Sequence, residues 1–264
     1  MTTPALDVEL RTLKLPSFVQ NWRDLAVRGE RDGWSFERFL ATLVEMEATD
    51  RKQRKISRLL RQSGLPADKT LAALRLDRLP TAVRRSLPTL CEGGFADRGD
   101  NLLVFGLPGR GKTHVVAAIG HELVQRGFSV LFVASFALVQ RLLAARKAFG
   151  LEKALRDLDG FDVVIIDDIG YIQQDRDEME VLFTFLAERY ERRSVVITSN
   201  LVFSQWDRIF KDPMTTAAAI DRIVHHATIL EMVGGSIREE IAQARVDAAA
   251  REFPEEVTDP NTSP

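Results

Sequence analysis

Eight consecutive residues, Gly106-Leu107-Pro108-Gly109-Arg110-Gly111-Lys112-Thr113, constrain the fold of this chain more than any other feature. They match G-x-x-x-x-G-K-[ST] between an apolar run, Asn101–Gly106, and an amphipathic stretch, Lys112–Arg126, that Gly127 stops. Strand, glycine loop and helix in that order separate a phosphate-binding loop from a chance turn carrying GKT. Glycines let backbone N–H groups converge on phosphate oxygens, and the helix N-terminus adds favourable partial charge. On this reading Lys112 reaches the β- and γ-phosphates of ATP and the Thr113 hydroxyl ligates Mg²⁺. His114 contributes a backbone N–H, while its imidazole packs.

The pattern around the loop repeats. Ser129–Ala134, Asp162–Asp167, Ser194–Ser199 and the short Thr228–Glu231 read as further strands. Helices are expected at Phe136–Phe149, Glu178–Arg192 and Ser236–Glu252. Near-continuous apolar strands separated by amphipathic helices predict an α/β fold whose parallel sheet is buried on both faces. Residues 1–80 read instead as a small all-helical domain. Phe36, Phe39, Leu40, Leu43 and Val44 recur at helical spacing, as do Ile56, Leu59 and Leu60, and Ser35 is a candidate cap. Residues 81–100, with Pro88, Gly93 and Gly94, read as a linker; 101–252 form the nucleotide domain, and 253–264 an acidic, disordered tail.

Two strand ends carry the remaining chemistry. Val163-Val164-Ile165-Ile166 delivers Asp167, which can hold Mg²⁺, and Asp168, which can polarise an attacking water unless it only begins a turn. Val195-Val196-Ile197 runs into Thr198-Ser199-Asn200, whose amide suits the γ-phosphate or the water; the alternative is a turn-forming Asn.

Together with Ile220-Asp221-Arg222-Ile223 and Gly235-Ser236-Ile237-Arg238, these elements resemble the P-loop AAA+ (ASCE) superfamily. Their order and spacing are most similar to the IstB-type transposition-helper ATPases, relatives of the DnaC-type helicase loaders. The resemblance covers nearly the whole chain. It implies that Asn200 is a sensor residue and that Arg222 is an arginine finger reaching a neighbouring subunit's γ-phosphate. It also implies that Arg238 contacts nucleotide or neighbour. Such helpers bind duplex DNA without sequence preference as ATP-dependent oligomers and recruit a cognate transposase. A finger in trans requires a head-to-tail interface. The bland alternative for Arg222 is a surface salt bridge with Asp221 or a nearby acid. Asp168 stands where many relatives carry Glu, which leaves the hydrolysis rate open.

Charge distribution indicates where DNA would bind. Residues 1–98 hold 18 Lys+Arg against 13 Asp+Glu, a surplus of five, although the whole chain is at −2. Within them Arg51, Arg54, Lys55, Arg58 and Arg61 share one helical face, a phosphate-tracking stripe or simply a solvated one. Arg141, Arg146 and Lys147, after the second strand, are a second candidate on the strength of the resemblance. His225 and His226 are adjacent, cannot share a helix face, and have no Cys/Asp cluster at metal-ligand spacing. One cysteine, Cys91, excludes an intramolecular disulfide framework; with no run of 18 apolar residues the expectation is a cytoplasmic protein without a membrane partner. The competing functions are a replicative helicase loader and a nucleotide-gated DNA scaffold with little hydrolysis.

Overall fold

The computed structural model describes residues 3–170, 176–201, 205–206 and 213–233. The expected helix 236–252, the tail 253–264 and Arg238 lie outside them. Two compact units emerge, residues 1–61 and 62–264.

The first unit is helical: α1 (Thr3–Thr12), α2 (Pro16–Arg31) and most of α3 (Phe36–Ser63). Pro16 opens α2, where a missing N–H costs nothing. The Ser35 hydroxyl accepts the Arg38 N–H at 3.2 Å and caps α3 as expected. The apolar spacing is a poorer guide here. Leu43 is buried, but Phe36, Leu40 and Val44 are exposed, because α3 meets its own unit along a narrow strip. Glu47 sits in that strip, accepting the Ser17 N–H at 2.9 Å. Burial pushes its pKa up, yet the bonds from Ser17, Arg51 and Arg54 prevail and hold it below the usual carboxylate range.

The second unit carries a five-stranded parallel sheet in the order β2-β3-β4-β1-β5. The strands are β1 (Asn101–Phe105), β2 (Val130–Ala134), β3 (Val163–Ile169), β4 (Ser194–Ser199) and β5 (Ala227–Glu231). Residues 81–100, expected as a linker, instead form α4 (Thr81–Glu92) and α5 (Gly94–Arg98). Pro88 deprives α4 of one hydrogen bond, but Val83, Leu87, Leu90 and Cys91 are buried, each large apolar side chain contributing roughly 1.5–3 kcal/mol. Burial also pushes the Cys91 thiol up to about 11, far from reactive. The remaining helices are α6 (Lys112–Gln125), α7 (Ser135–Lys147), α8 (Leu151–Asp159), α9 (Arg176–Arg189) and α10 (Pro213–Val224). Helix α6 packs on one face of the sheet with α4 beside it, touching β5; α7 and α9 cover the other. There Leu103, Val164, Ile166, Val195 and Ile197 meet Leu138, Leu142, Leu182 and Phe185.

Arg189 is 2% exposed and crosses the loops at the sheet's N-terminal edge. Its guanidinium donates to the carbonyls of Leu158, Phe161, Asp162 and Ser194, and desolvation lowers its pKa to about 10. Among the described residues no helix is long and apolar enough to cross a membrane.

Candidate phosphate site and its surroundings

All five strands run the same way, so their C-terminal ends share one edge, where open α/β sheets bind ligands. The loop 106–111 leaves β1 there. Gly106 is required by crowding: a Cβ would stand 2.7 Å from both the side chain and the carbonyl oxygen of Met232. Gly111, at φ +84°, turns the chain into α6 through the left-handed region that other residues adopt only at a cost. Lys112 is buried, its Nζ donating to the carbonyls of Gly106 at 2.7 Å and Leu107 at 3.2 Å. The ammonium is therefore held within the loop it would serve. Arg110 is turned to the rim, donating to the Met232 carbonyl at 3.2 Å.

Asp167 lies beside this loop. Its Oδ1 accepts the hydroxyls of Thr113 at 3.1 Å and Thr198 at 2.6 Å, tying α6, β3 and β4 together. A regular strand would send the next side chain to the opposite face. Here the β3–β4 register shifts between Ile166 and Ile169, and Asp168 takes φ +68°. That bulge turns Asp168 to the cavity bounded by the loop, and it is exposed there. Two further bonds hold the bulge. The Asp168 N–H donates to Thr198 Oγ1 at 2.7 Å, and Ser135 Oγ donates to the Asp168 carbonyl at 2.9 Å. Asp168 lies within β3, one residue before its end.

Thr198 thus serves both acidic residues, a role sequence reasoning missed; the only available signal was a hydroxyl at a strand end. Asn200 follows β4 at the same edge, and its Oδ1 is buried without a hydrogen-bond partner among the described residues. A cavity of about 420 Å³ adjoins the loop, with Pro108–His114 and Asp168 on one side and Lys69, Leu74, Arg75 and Leu79 on the other. His114 packs as expected, Nε2 lying 3.2 Å from the Thr70 carbonyl oxygen. A glycine loop at a helix N-terminus, a lysine and a hydroxyl–carboxylate pair suit a polyphosphate bound with a hard cation.

Arg222 stands apart from this group. It occupies the last turn of α10 and lines a pocket with Asn101, Tyr190, Glu191 and His226, at the sheet's N-terminal edge. Five residues of β1, about 15 Å, separate that edge from the phosphate loop. The guanidinium lies over the Phe183 ring at 4.9 Å, and Arg222 forms no salt bridge among the described residues.

The two basic stretches also differ. Arg51, Arg54, Lys55, Arg58 and Arg61 line a single groove of the first unit. Arg51 and Arg54 are paired with Glu47 at 3.2 and 3.0 Å, whereas Lys55, Arg58 and Arg61 form no ion pair among the described residues. On α7, Arg141 and Lys147 are exposed, but Arg146 is engaged by Glu180 at 3.2 Å and Asp177 at 3.8 Å.

The chain matches the family model for the IstB-like ATP binding protein over residues 8–244. It is 42% identical over 228 residues to an insertion sequence ATP-binding protein of Sinorhizobium fredii, covering 86% of this chain and 76% of that one. An insertion sequence IS5376 ATP-binding protein of Geobacillus stearothermophilus is 34% identical over 226 residues, covering 86% and 90%. Among solved structures, the DnaC helicase loader superposes with a TM-score of 0.51 at 19% identity, over 57% of this chain and 88% of that one. The observed fold is the one expected from the sequence, a P-loop AAA+ core preceded by a helical region.

Proposed function

Because the chain belongs to the family of IstB-like ATP binding proteins, we propose that it binds and hydrolyses ATP as a DNA-binding helper of a transposase. ATP binding assembles it head to tail on duplex DNA without sequence preference; the assembly recruits or stimulates a cognate transposase, and hydrolysis releases it. The observation that carries this reading is the meeting of Thr113, Asp167 and Thr198 beside the loop.

Each residue has a defined task. The loop Gly106–Thr113 wraps the phosphates, the backbone N–H groups of Gly109–Thr113 and His114 cradle them, and Lys112 neutralises them. Thr113 and Asp167 are hard oxygen donors 3.1 Å apart, a set that fits Mg²⁺, which when bound offsets charge on the β- and γ-phosphates. Asp168, on its bulge, orients the attacking water and receives its proton, while Asn200 contacts the γ-phosphate. Arg222 lies too far from its own loop to act there, which supports delivery to a neighbour's nucleotide. Arg238 is assigned to nucleotide or neighbour contact through the family resemblance.

The basic groove of the first unit supports phosphate contacts with DNA, chiefly through Lys55, Arg58 and Arg61. Arg141 and Lys147 are secondary candidates, and Arg146 is the weakest because acids already hold it. The names of the relatives favour a transposition helper over a helicase loader, since the likeness to the loader is one of fold. Binding to unrelated duplexes across a salt series, with ATP, ADP or neither, tests this while particle size is followed. Strong salt dependence, and growth in size only with ATP, are expected. DNA association indifferent to nucleotide would overturn the proposal, and wild-type turnover in Asp168→Asn would leave Asp168 without its role.

A further inference from the structure

Two turns at the N-terminal edge of the sheet bring together ligating side chains that sequence spacing had set aside. His225 and His226 follow Val224, the last residue of α10, and lie in a turn rather than on a helix. The divergence expected of helical neighbours therefore does not apply, and their rings lie 4.2 Å apart, centre to centre. Glu191, from the turn before β4, places Oε1 3.8 Å from His225 Nδ1 and 3.8 Å from His226 Nε2. Tyr190 Oη, 2.9 Å from His225 Nδ1, steadies that ring. One ligand atom from each of the three residues lies within 4.8 Å of the other two.

We propose that Glu191, His225 and His226 form a site for a divalent cation of the zinc class (Zn²⁺, Co²⁺ or Ni²⁺), separate from the phosphate site. Two imidazoles and one carboxylate suit such borderline ions; Mg²⁺ prefers oxygen ligands alone. Tetrahedral bonds of about 2.0–2.2 Å require donor separations of about 3.4 Å. Closing from 3.8 Å on the two carboxylate–imidazole sides, and from within 4.8 Å between the imidazoles, needs movements of about 0.5–1.5 Å, and side chains that are half exposed can make them without disturbing a core. His225 exchanges its bond to Tyr190 for the metal, and water completes the coordination. The ion ties the α10–β5 turn to the α9–β4 turn. Glu191, His226 and Arg222 line one pocket of about 400 Å³, so the ion also fixes the base on which Arg222 rides. That last consequence rests on the function proposed above; the metal site does not.

Untagged full-length protein is titrated with Co²⁺ without nucleotide, following visible absorption, with Zn²⁺ and Mg²⁺ as competitors. One equivalent of Co²⁺ is expected to give d–d bands that Zn²⁺ abolishes and a large excess of Mg²⁺ does not. Glu191→Gln, and His225→Ala with His226→Ala, weaken binding by at least about tenfold. His121→Gln, whose imidazole meets the Pro66 carbonyl, leaves it unchanged. Zn²⁺ should also raise the melting temperature of the wild type but not of the double variant, a readout that reports folding as well. Absence of the bands in the wild type, or their survival in the double variant, overturns the site. Because no nucleotide is present, either result leaves the ATP reading to be judged by its own test.

Discussion

The two ends of β1 are built on opposite plans. At the C-terminal end most polar groups near the loop are engaged: Lys112 by two carbonyls, Asp167 by two hydroxyls, Asp168 by Thr198 and Ser135 through its backbone, while Asn200 Oδ1 has no partner among the described residues. At the N-terminal end the Arg222 guanidinium lies over an aromatic ring and has no ion pair among the described residues, and Glu191, His225 and His226 are exposed. A site that must hold a ligand in one geometry is preorganised by its own subunit. A site awaiting a partner keeps its charge uncommitted.

If that contrast is functional, damage at the two ends must differ in kind. Arg222→Ala is expected to lower DNA-stimulated ATP turnover by about 10³-fold while leaving nucleotide affinity near normal. Steady-state hydrolysis beside equilibrium nucleotide binding measures both, and unchanged turnover would remove Arg222 from the reaction. Lys112→Ala reverses the pattern, weakening nucleotide affinity itself by about 10–100-fold because a charge-assisted contact is lost. Thr198→Val strips the Asp168 N–H of its acceptor and Asp167 of a donor, costing about 1–3 kcal/mol of stability. Turnover should fall about tenfold with it; a melting temperature equal to wild type would mean that the bulge is held by other groups. Asn101→Asp has the smallest effect. It keeps the acceptor for Val195 N–H but loses the donor to the Ile223 carbonyl, costing about 1 kcal/mol. Its turnover should drop only at concentrations where assembly limits the rate.

What could be read in advance follows from how local each signal is. The loop, its strand and its helix are contiguous, so the glycine spacing announced them, and four apolar runs announced strands β1 to β4. Thr198 and the Asp168 bulge depend on the register between β3 and β4, which brings together residues about thirty positions apart, and no pattern within either strand records it. Helix α4 was hidden by Pro88 and the glycines after it, because burial of Leu87 and Leu90 outweighs a local penalty. Helix α8 was legible after all, in the 3–4 spacing of Leu151, Ala154, Leu155 and Leu158, but the expected helix stopped at Phe149 and no second one was drawn after it. The closeness of the two histidine rings was not legible, because helical geometry was assumed where the chain turns.

Asn101 carries a consequence beyond its own bonds. Its amide donates to the Ile223 carbonyl at 3.0 Å and accepts the Val195 N–H at 2.9 Å, pinning α10 and β4 to the start of the strand that leads into Gly106. In the proposed assembly, the subunit lends its arginine from one tip of a stiff rod and receives its neighbour's at the other. A displacement imposed where phosphate is gripped is therefore carried along the rod to the next molecule, as a push travels down a line of coupled wagons, with no pivot inside the sheet to absorb it.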